Sequence, residues 1–447
     1  MKRVARVCVL GHIPLIGPAL LQVIPLFMRS SSSVFLPLLG VCLFGLSFSG
    51  SADESWRQFR GPTAQGVSEV KGLPLRWSET ENVTWKTPLP GEGWSSPVVA
   101  EGRIWMTTAL EEGKSLRALC VDFVSGKLLL DVEVFQAEVV QPKHRRNSHA
   151  SPTPIIDGDR VYVHFGWEGT ACLSAKDGKK LWENRELKVD FQNGAGGSPT
   201  LYRDKLLIAC DGMDFQYEVA LDKLTGKVLW KTERSAIPKL ENRPKDRRKA
   251  YGTPQLLVRG GKTLSITTGA ERFYACDPDT GKELWYVDHP GFSNVPVPVS
   301  DGDTVYVSTG FPKPEMWAIR LEGAAGDVTG SHVLWKQSSG APDQSSPVVV
   351  GGRLYMLNNG GIATCLDTAS GKVLWKERIS SDFAASPLYA NGLIYFFDCL
   401  GKCRVIEPGD VYKEVATNEL PDGFMASPAV VGDSLILRTK TSLYRIH

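Results

Sequence analysis

From residue 83 onward the chain is a succession of short apolar runs, broken every few positions by glycine, proline, asparagine or aspartate. Residues 346–376 show the unit. Ser346-Pro347 opens it, and a short run of valines, a glycine turn and the run RLYML follow. A second glycine-rich turn leads to IATCLD, then Ser370-Gly371-Lys372, then an apolar end carrying Trp375. Val, Leu, Ile and Tyr dominate the runs, as half-buried strands require. The turns hold Gly-Gly and Ser-Gly, which supply the positive φ of tight hairpins. Four short strands are therefore predicted per unit.

The unit recurs. Ser96-Pro97, Ser151-Pro152, Ser198-Pro199, Thr253-Pro254, Val295-Pro296, Ser346-Pro347, Ser386-Pro387 and Ser427-Pro428 are read as eight openings, with intervals of 55, 47, 55, 42, 51, 40 and 41 residues. In four copies a Gly-Lys turn precedes a tryptophan at a constant offset: Gly178 to Trp182, Gly226 to Trp230, Gly281 to Trp285 and Gly371 to Trp375. A four-stranded repeat of this period predicts an all-β, eight-bladed β-propeller, since one blade cannot bury both faces alone. The last copy, 427–447, lacks its tryptophan strand. Val83-Thr84-Trp85-Lys86 matches the missing strand and is expected to close the ring, removing the open edges. The expected division is 1–52 as an export segment, 53–82 as an N-terminal collar and 83–447 as the propeller.

Residues 34–48 form a short apolar run preceded by Arg29 and followed by Gly50-Ser51-Ala52, the layout of a secretory signal cut after Ala52. Met28 is an alternative start. The mature protein is expected to be exported, to the periplasm or beyond, without a transmembrane domain and as a monomer. A formal net charge of +2 gives no case for nucleic acid. Cys120, Cys172 and Cys365 share one register with Ala220 and Ala275, and read as small residues in a tight layer. Cys399 and Cys403 flank a three-residue turn, a spacing open to a cross-strand disulfide.

Candidate chemistry gathers in the connections between blades. Residues 141–149 (QPKHRRNSH) and 237–251 (IPKLENRPKDRRKAY) are long and basic. Arg145, Arg146, Arg247 and Arg248 there are candidates for an anionic ligand or a partner, as are His149, Asn193 and Arg272. Gly194–Gly197 precedes a strand and lacks the Gly-Lys-Ser/Thr of a phosphate loop, so it reads as close backbone packing near the axis. His164 alternates with apolar residues and reads as a satisfied strand histidine. Residues 320–332 read as a surface excursion. Trp94 and Trp167 lie near turns and are candidates for stacking on sugars.

The run Ala220-Leu221-Asp222-Lys223-Leu224-Thr225-Gly226-Lys227-Val228-Leu229-Trp230, with close variants ending at Trp285 and Trp375, resembles the PQQ-like repeat. The resemblance covers nearly all of 83–447. It implies the propeller of quinoprotein alcohol dehydrogenases and of BamB-type assembly scaffolds, with the tryptophan flat against the next blade and the aspartate accepting turn N–H bonds. It admits PQQ with calcium as a cofactor. The quinone enzymes it resembles carry two adjacent cysteines, and no two are adjacent here. Calcium needs several converging oxygens, for which Glu168, Asn193, Asp211 and Asp214 are the candidates. On the residues themselves neither cofactor nor metal is expected, and no catalytic residue is assigned. The reading is a non-catalytic envelope protein that holds a protein, a peptide or a small anionic ligand at its loop face. A quinone-dependent oxidoreductase and a carbohydrate-binding or carbohydrate-processing propeller are the alternatives.

Overall fold

The computed structural model describes residues 55–237 and 242–447. The export segment expected at 1–52 lies outside the described residues. Eight sheets follow one another along the chain, seven of four strands and one of five. Blades 1 to 7 comprise residues 98–136, 155–184, 200–233, 255–288, 299–337, 348–378 and 388–419; blade 8 joins 429–446 to Val83–Pro88. The N-terminal strand does close the ring: it pairs antiparallel with Ser442–Ile446, Lys86 opposite Tyr444. Its Trp85 Nε1 donates to Phe123 O of blade 1 at 3.0 Å.

That contact repeats as the joint between blades. Trp182 donates to Lys223 O of blade 3, Trp335 to Thr368 O of blade 6 and Trp375 to Gly409 O of blade 7. Beneath each of three such rings lies the turn glycine of the next blade. A Cβ on Gly126, Gly226 or Gly371 would fall 2.6, 2.4 or 2.6 Å from Trp85, Trp182 or Trp335. The glycine is thus required twice, for φ near +70° and for the approach of the indole. Within a blade, the residue opposite the tryptophan is small: Cys172 faces Trp182, Ala220 faces Trp230, Ala275 faces Trp285 and Cys365 faces Trp375. The shared Cys/Ala register follows from this crowding, and these cysteines are buried free thiols. Cys399 and Cys403 are unbridged as well. Cys403 pairs with Phe397 within its sheet, while Cys399 Sγ lies 3.6 Å from Met425 Sδ.

Nearer the axis, the residue before each strand-opening proline links neighbouring blades. Ser96 N donates to Thr153 Oγ1, Thr153 N to Ser198 Oγ and Ser198 N to Thr253 Oγ1. On the other side Val297 N donates to Ser346 Oγ, Ser346 N to Ser386 Oγ, Ser386 N to Ser427 Oγ and Ser427 N to Ser96 Oγ. These bonds correct the repeat register in two blades: the openings are Thr153-Pro154 and Val297-Pro298, not Ser151-Pro152 and Val295-Pro296. Doubled prolines two residues apart made the wrong one look equivalent. The ring of links breaks once, between blades 4 and 5, because Val297 has no hydroxyl.

The outside of that seam is also different. Residues 320–332 are not a simple surface excursion. Gly326–Asp327 runs parallel to Trp285 and Tyr286 of blade 4, Val328 N donates to Tyr286 O, and buried Val328 joins the core there. A strand of blade 5's long connection thus clamps the one joint that lacks an inner hydroxyl link.

Candidate functional site

A collar segment crosses the axis at the end of the ring away from the long connections. Trp56 pairs with Val99 of blade 1, and Arg57 O accepts from Ile156 N of blade 2. Thr63 O accepts from Gln255 of blade 4, Gln65 bonds Ser300 of blade 5, and Ser68 N donates to Tyr389 O of blade 7. Arg60 reaches blade 6, where Nη1 donates to Ser346 O at 3.2 Å and Nη2 to Pro347 O at 2.5 Å. A single short segment can touch six blades only by spanning the centre.

What remains is a one-ended funnel of about 570 Å³, open toward the connections between blades. Phe59 of the collar faces into it. Trp94, Tyr251, Phe292 and Phe311 supply aromatic wall, and all seven linking hydroxyls line it. Each hydroxyl accepts one backbone N–H, and among the described residues none donates to a protein acceptor. The funnel therefore presents seven unspent O–H donors around its axis.

The mouth is strapped. Arg146, in the connection from blade 1 to blade 2, reaches the far side of the ring. Its Nε donates to Gln344 Oε1 at 3.0 Å, its Nη1 to Asp382 Oδ2 at 2.8 Å and its Nη2 to Phe383 O at 3.0 Å. Asn147 and His144 tie the same connection to Asn193 O. Half-buried Asp343 faces the funnel near Arg146, and burial raises its carboxyl above the usual range.

Lys249 is the cation of the wall. It is 3% exposed, and its Nζ donates to Asp246 O, with no carboxylate within ion-pair distance among the described residues. Burial pulls its ammonium below the ordinary lysine range. Arg60, 1% exposed beneath the ring, likewise has no carboxylate partner there; burial pulls it down to about 9.

Of the sequence candidates, the structure brings Arg146 and Asn193 to the funnel. Exposed Arg145 is not among the residues that line it. His149 packs against Gly113 on the flank between blades 1 and 2, beside the Lys143–Glu92 pair. Burial lowers its pKa. Arg247 pairs with Glu271 at 3.3 Å and covers the Phe292 ring, and Arg248 donates to Arg243 O. Arg272 is buried, paired through two nitrogens with Asp288 and stacked 3.6 Å from the Tyr286 ring. His164 is a satisfied strand histidine, its Nδ1 2.9 Å from Thr170 Oγ1. Sequence reasoning missed Lys249 and Arg60. It treated the Ser/Thr before each proline as punctuation, although its recurrence was the signal for the hydroxyl ring.

Three of the four calcium candidates are engaged away from the funnel. Asp211 is held by Arg234 at 2.9 Å, Glu168 by Arg185 at 2.6 Å, and Asp214 caps the backbone N–H of Asp190 and Phe215. Only Asn193 of the four calcium candidates lines the funnel. Trp94 also lines it, while Trp167 sits under Lys188, 5.0 Å from its ring. Among the described residues no three His, Cys, Asp or Glu side chains converge as a metal site.

The family model described as outer membrane protein assembly factor BamB matches residues 67–209, 113–323 and 324–410. The quinoprotein ethanol dehydrogenase of Pseudomonas aeruginosa is 31% identical over 212 residues, which are 43% of this chain and 30% of that protein. The 1-butanol dehydrogenase (quinone) of Thauera butanivorans is 26% identical over 314 residues, 66% of this chain and 45% of that protein. The chain thus spans less than half the length of these curated relatives. Among solved structures, a europium-containing methanol dehydrogenase superposes with a TM-score of 0.66 at 12% identity, over 87% of this chain and 90% of that one. BamB from Moraxella catarrhalis gives 0.54 at 11% identity, over 82% and 99%. These two likenesses are of fold.

Proposed function

This chain belongs to the family described as outer membrane protein assembly factor BamB, and on that premise we propose that it is a non-catalytic binding protein of the cell envelope. The exported, monomeric propeller holds its ligand, a small molecule or the end of a peptide, in the loop-side funnel. The observation that carries this reading is the funnel itself. It is one-ended, it draws wall from every blade, and it is lined by aromatic faces and hydrogen-bond donors, the makeup of a ligand pocket. Three of the four candidate calcium ligands, Glu168, Asp211 and Asp214, are engaged in separate ion pairs and caps, which favours binding over quinone chemistry. Among the described residues no helix is long and apolar enough to cross a membrane.

A second reading, a quinone-dependent oxidoreductase, is favoured by the three quinoprotein or quinone dehydrogenases among the relatives. A titration of the exported protein with PQQ, with and without Ca²⁺, separates the two. Tryptophan fluorescence and quinone absorbance are both followed. The binding-protein reading expects no calcium-dependent saturation. Saturable, calcium-dependent binding at micromolar PQQ or below overturns it in favour of the oxidoreductase.

A further inference from the structure

A buried cation with no directly paired carboxylate has room for a partner, because desolvating an ammonium or guanidinium is unfavourable unless an anion or several acceptors meet it. Two lie about the funnel, Lys249 in its wall and Arg60 beneath the ring of hydroxyls. Lys249 has three N–H donors and gives one to Asp246 O. Arg60 bonds only carbonyl oxygens, and its buried Nε has no partner. Between them stands the ring of Ser96, Thr153, Ser198, Thr253, Ser346, Ser386 and Ser427, whose hydroxyl oxygens already accept and whose protons are unspent. The indole Nε1 of Trp94, buried in the funnel wall before blade 1, is also without an acceptor among the described residues. All of these groups donate. No carboxylate reaches ion-pair distance of Lys249 among the described residues: Asp246, exposed at the rim, and Asp190 act on it only from farther off, and Asp343 lies beside Arg146 in the strap.

We propose that the floor of the funnel is an anion site that takes a small ligand bearing several carboxylate or phosphate oxygens, held directly by Lys249 and the hydroxyl ring. This rests on the reading of the funnel as a ligand pocket and names its ligand class. Donors distributed around an axis suit a compact molecule with acceptor oxygens around its rim. A single small oxyanion would meet only one side of the ring. Arg60 beneath the ring adds positive potential without needing to touch the ligand.

The gap at Val297 supplies a test by gain. Val297→Thr places the eighth hydroxyl in the ring at the seam that lacks one. Binding of citrate and of inositol hexakisphosphate to the exported protein is measured in EDTA by tryptophan fluorescence, with uncharged myo-inositol as control. The expected result is saturable binding of at least one anion and none of myo-inositol. Lys249→Gln is expected to weaken it by about tenfold or more and Lys249→Arg to restore it, as for loss of a charged hydrogen bond. Val297→Thr is expected to tighten it severalfold. Equal binding of myo-inositol, or anion affinity unmoved by both Lys249→Gln and Val297→Thr, overturns the anion site while leaving the funnel as a pocket for neutral ligands. If none of the three molecules perturbs the protein, the anion site is overturned; a neutral sugar or peptide that then quenches Trp94 keeps the pocket reading, and its failure too sinks both.

Discussion

At the scale of single residues, burial decides which groups act and which only pack. His164 and His289 are both buried and neutral, with burial lowering them to about 4 and about 3. An unfolded histidine titrates near 6.5. Between that value and the folded ones the unfolded chain binds more protons, so stability is complete above pH 6.5 and is lost as pH falls toward 4. For His164 the loss is on the order of 3 kcal/mol. His164→Asn keeps a polar partner for Thr170 and does not titrate. Its melting temperature is expected to fall less than the parent's between pH 6.5 and 4. Parallel curves would show that another group carries the acid sensitivity. The same rule explains what the sequence hid. Lys249 belongs to the run KDRRK, where five charged residues look alike. Only its packing, with the Phe292 ring from the connection between blades 4 and 5 lying 5.9 Å from its Nζ, makes it a buried cation. No local pattern encodes that. His164 was legible because alternation in VYVHFG already placed it inward.

At the scale of elements, the repeat was legible because each blade solves one packing problem with the same residues. Tryptophan lies on the next blade's glycine turn, a small residue stands opposite it, and aspartate caps the turn: Asp222 Oδ1 accepts from Leu224 N and Thr225 N. The parts read wrongly were those where two registers satisfied the same local pattern. Pro152 and Pro154, or Pro296 and Pro298, differ only in which preceding residue meets the neighbouring blade, a non-local fact. The clamp at 326–328 was illegible for the same reason, since its partner strand lies in another blade. Two glycine substitutions separate turn strain from docking. Gly226 and Gly158 both have positive φ, but a Cβ at Gly226 meets Trp182 whereas at Gly158 it meets open space. Gly158→Ala is expected to cost about 1 kcal/mol, the backbone term alone. Gly226→Ala is expected to cost about 2–4 kcal/mol, because overpacking against the indole is added. Chemical denaturation measures both. Equal losses would mean that the tryptophan joint yields freely and does not set the blade spacing.

At the scale of the whole molecule, the two ends of the axis are built differently. The collar seals one end with bonds to six blades, and Arg60 is locked into it. The other end is spanned by one side chain, Arg146, whose half-buried pair with Asp382 joins the connection between blades 1 and 2 to the opposite wall. A ring closed by strand pairing at blade 8 does not need that strap for its integrity, because the hydroxyl links and tryptophan joints already hold neighbours together. The strap therefore serves the mouth. Arg146→Met should remove the bonds to Gln344, Asp382 and Phe383 while leaving the blades in register. Amide hydrogen exchange in residues 141–149 is then expected to rise about tenfold or more, in line with loss of a charge-assisted hydrogen bond, while exchange in the inner strands stays at the parent level. Since the pair is partly exposed, raising the salt should move the parent part of the way toward the variant. If inner-strand exchange rises together with that of the loop, Arg146 is a structural tie of the ring. If neither changes, the mouth is held by Asn147 and His144 on Asn193, and the ion pair across the axis adds nothing to its closure.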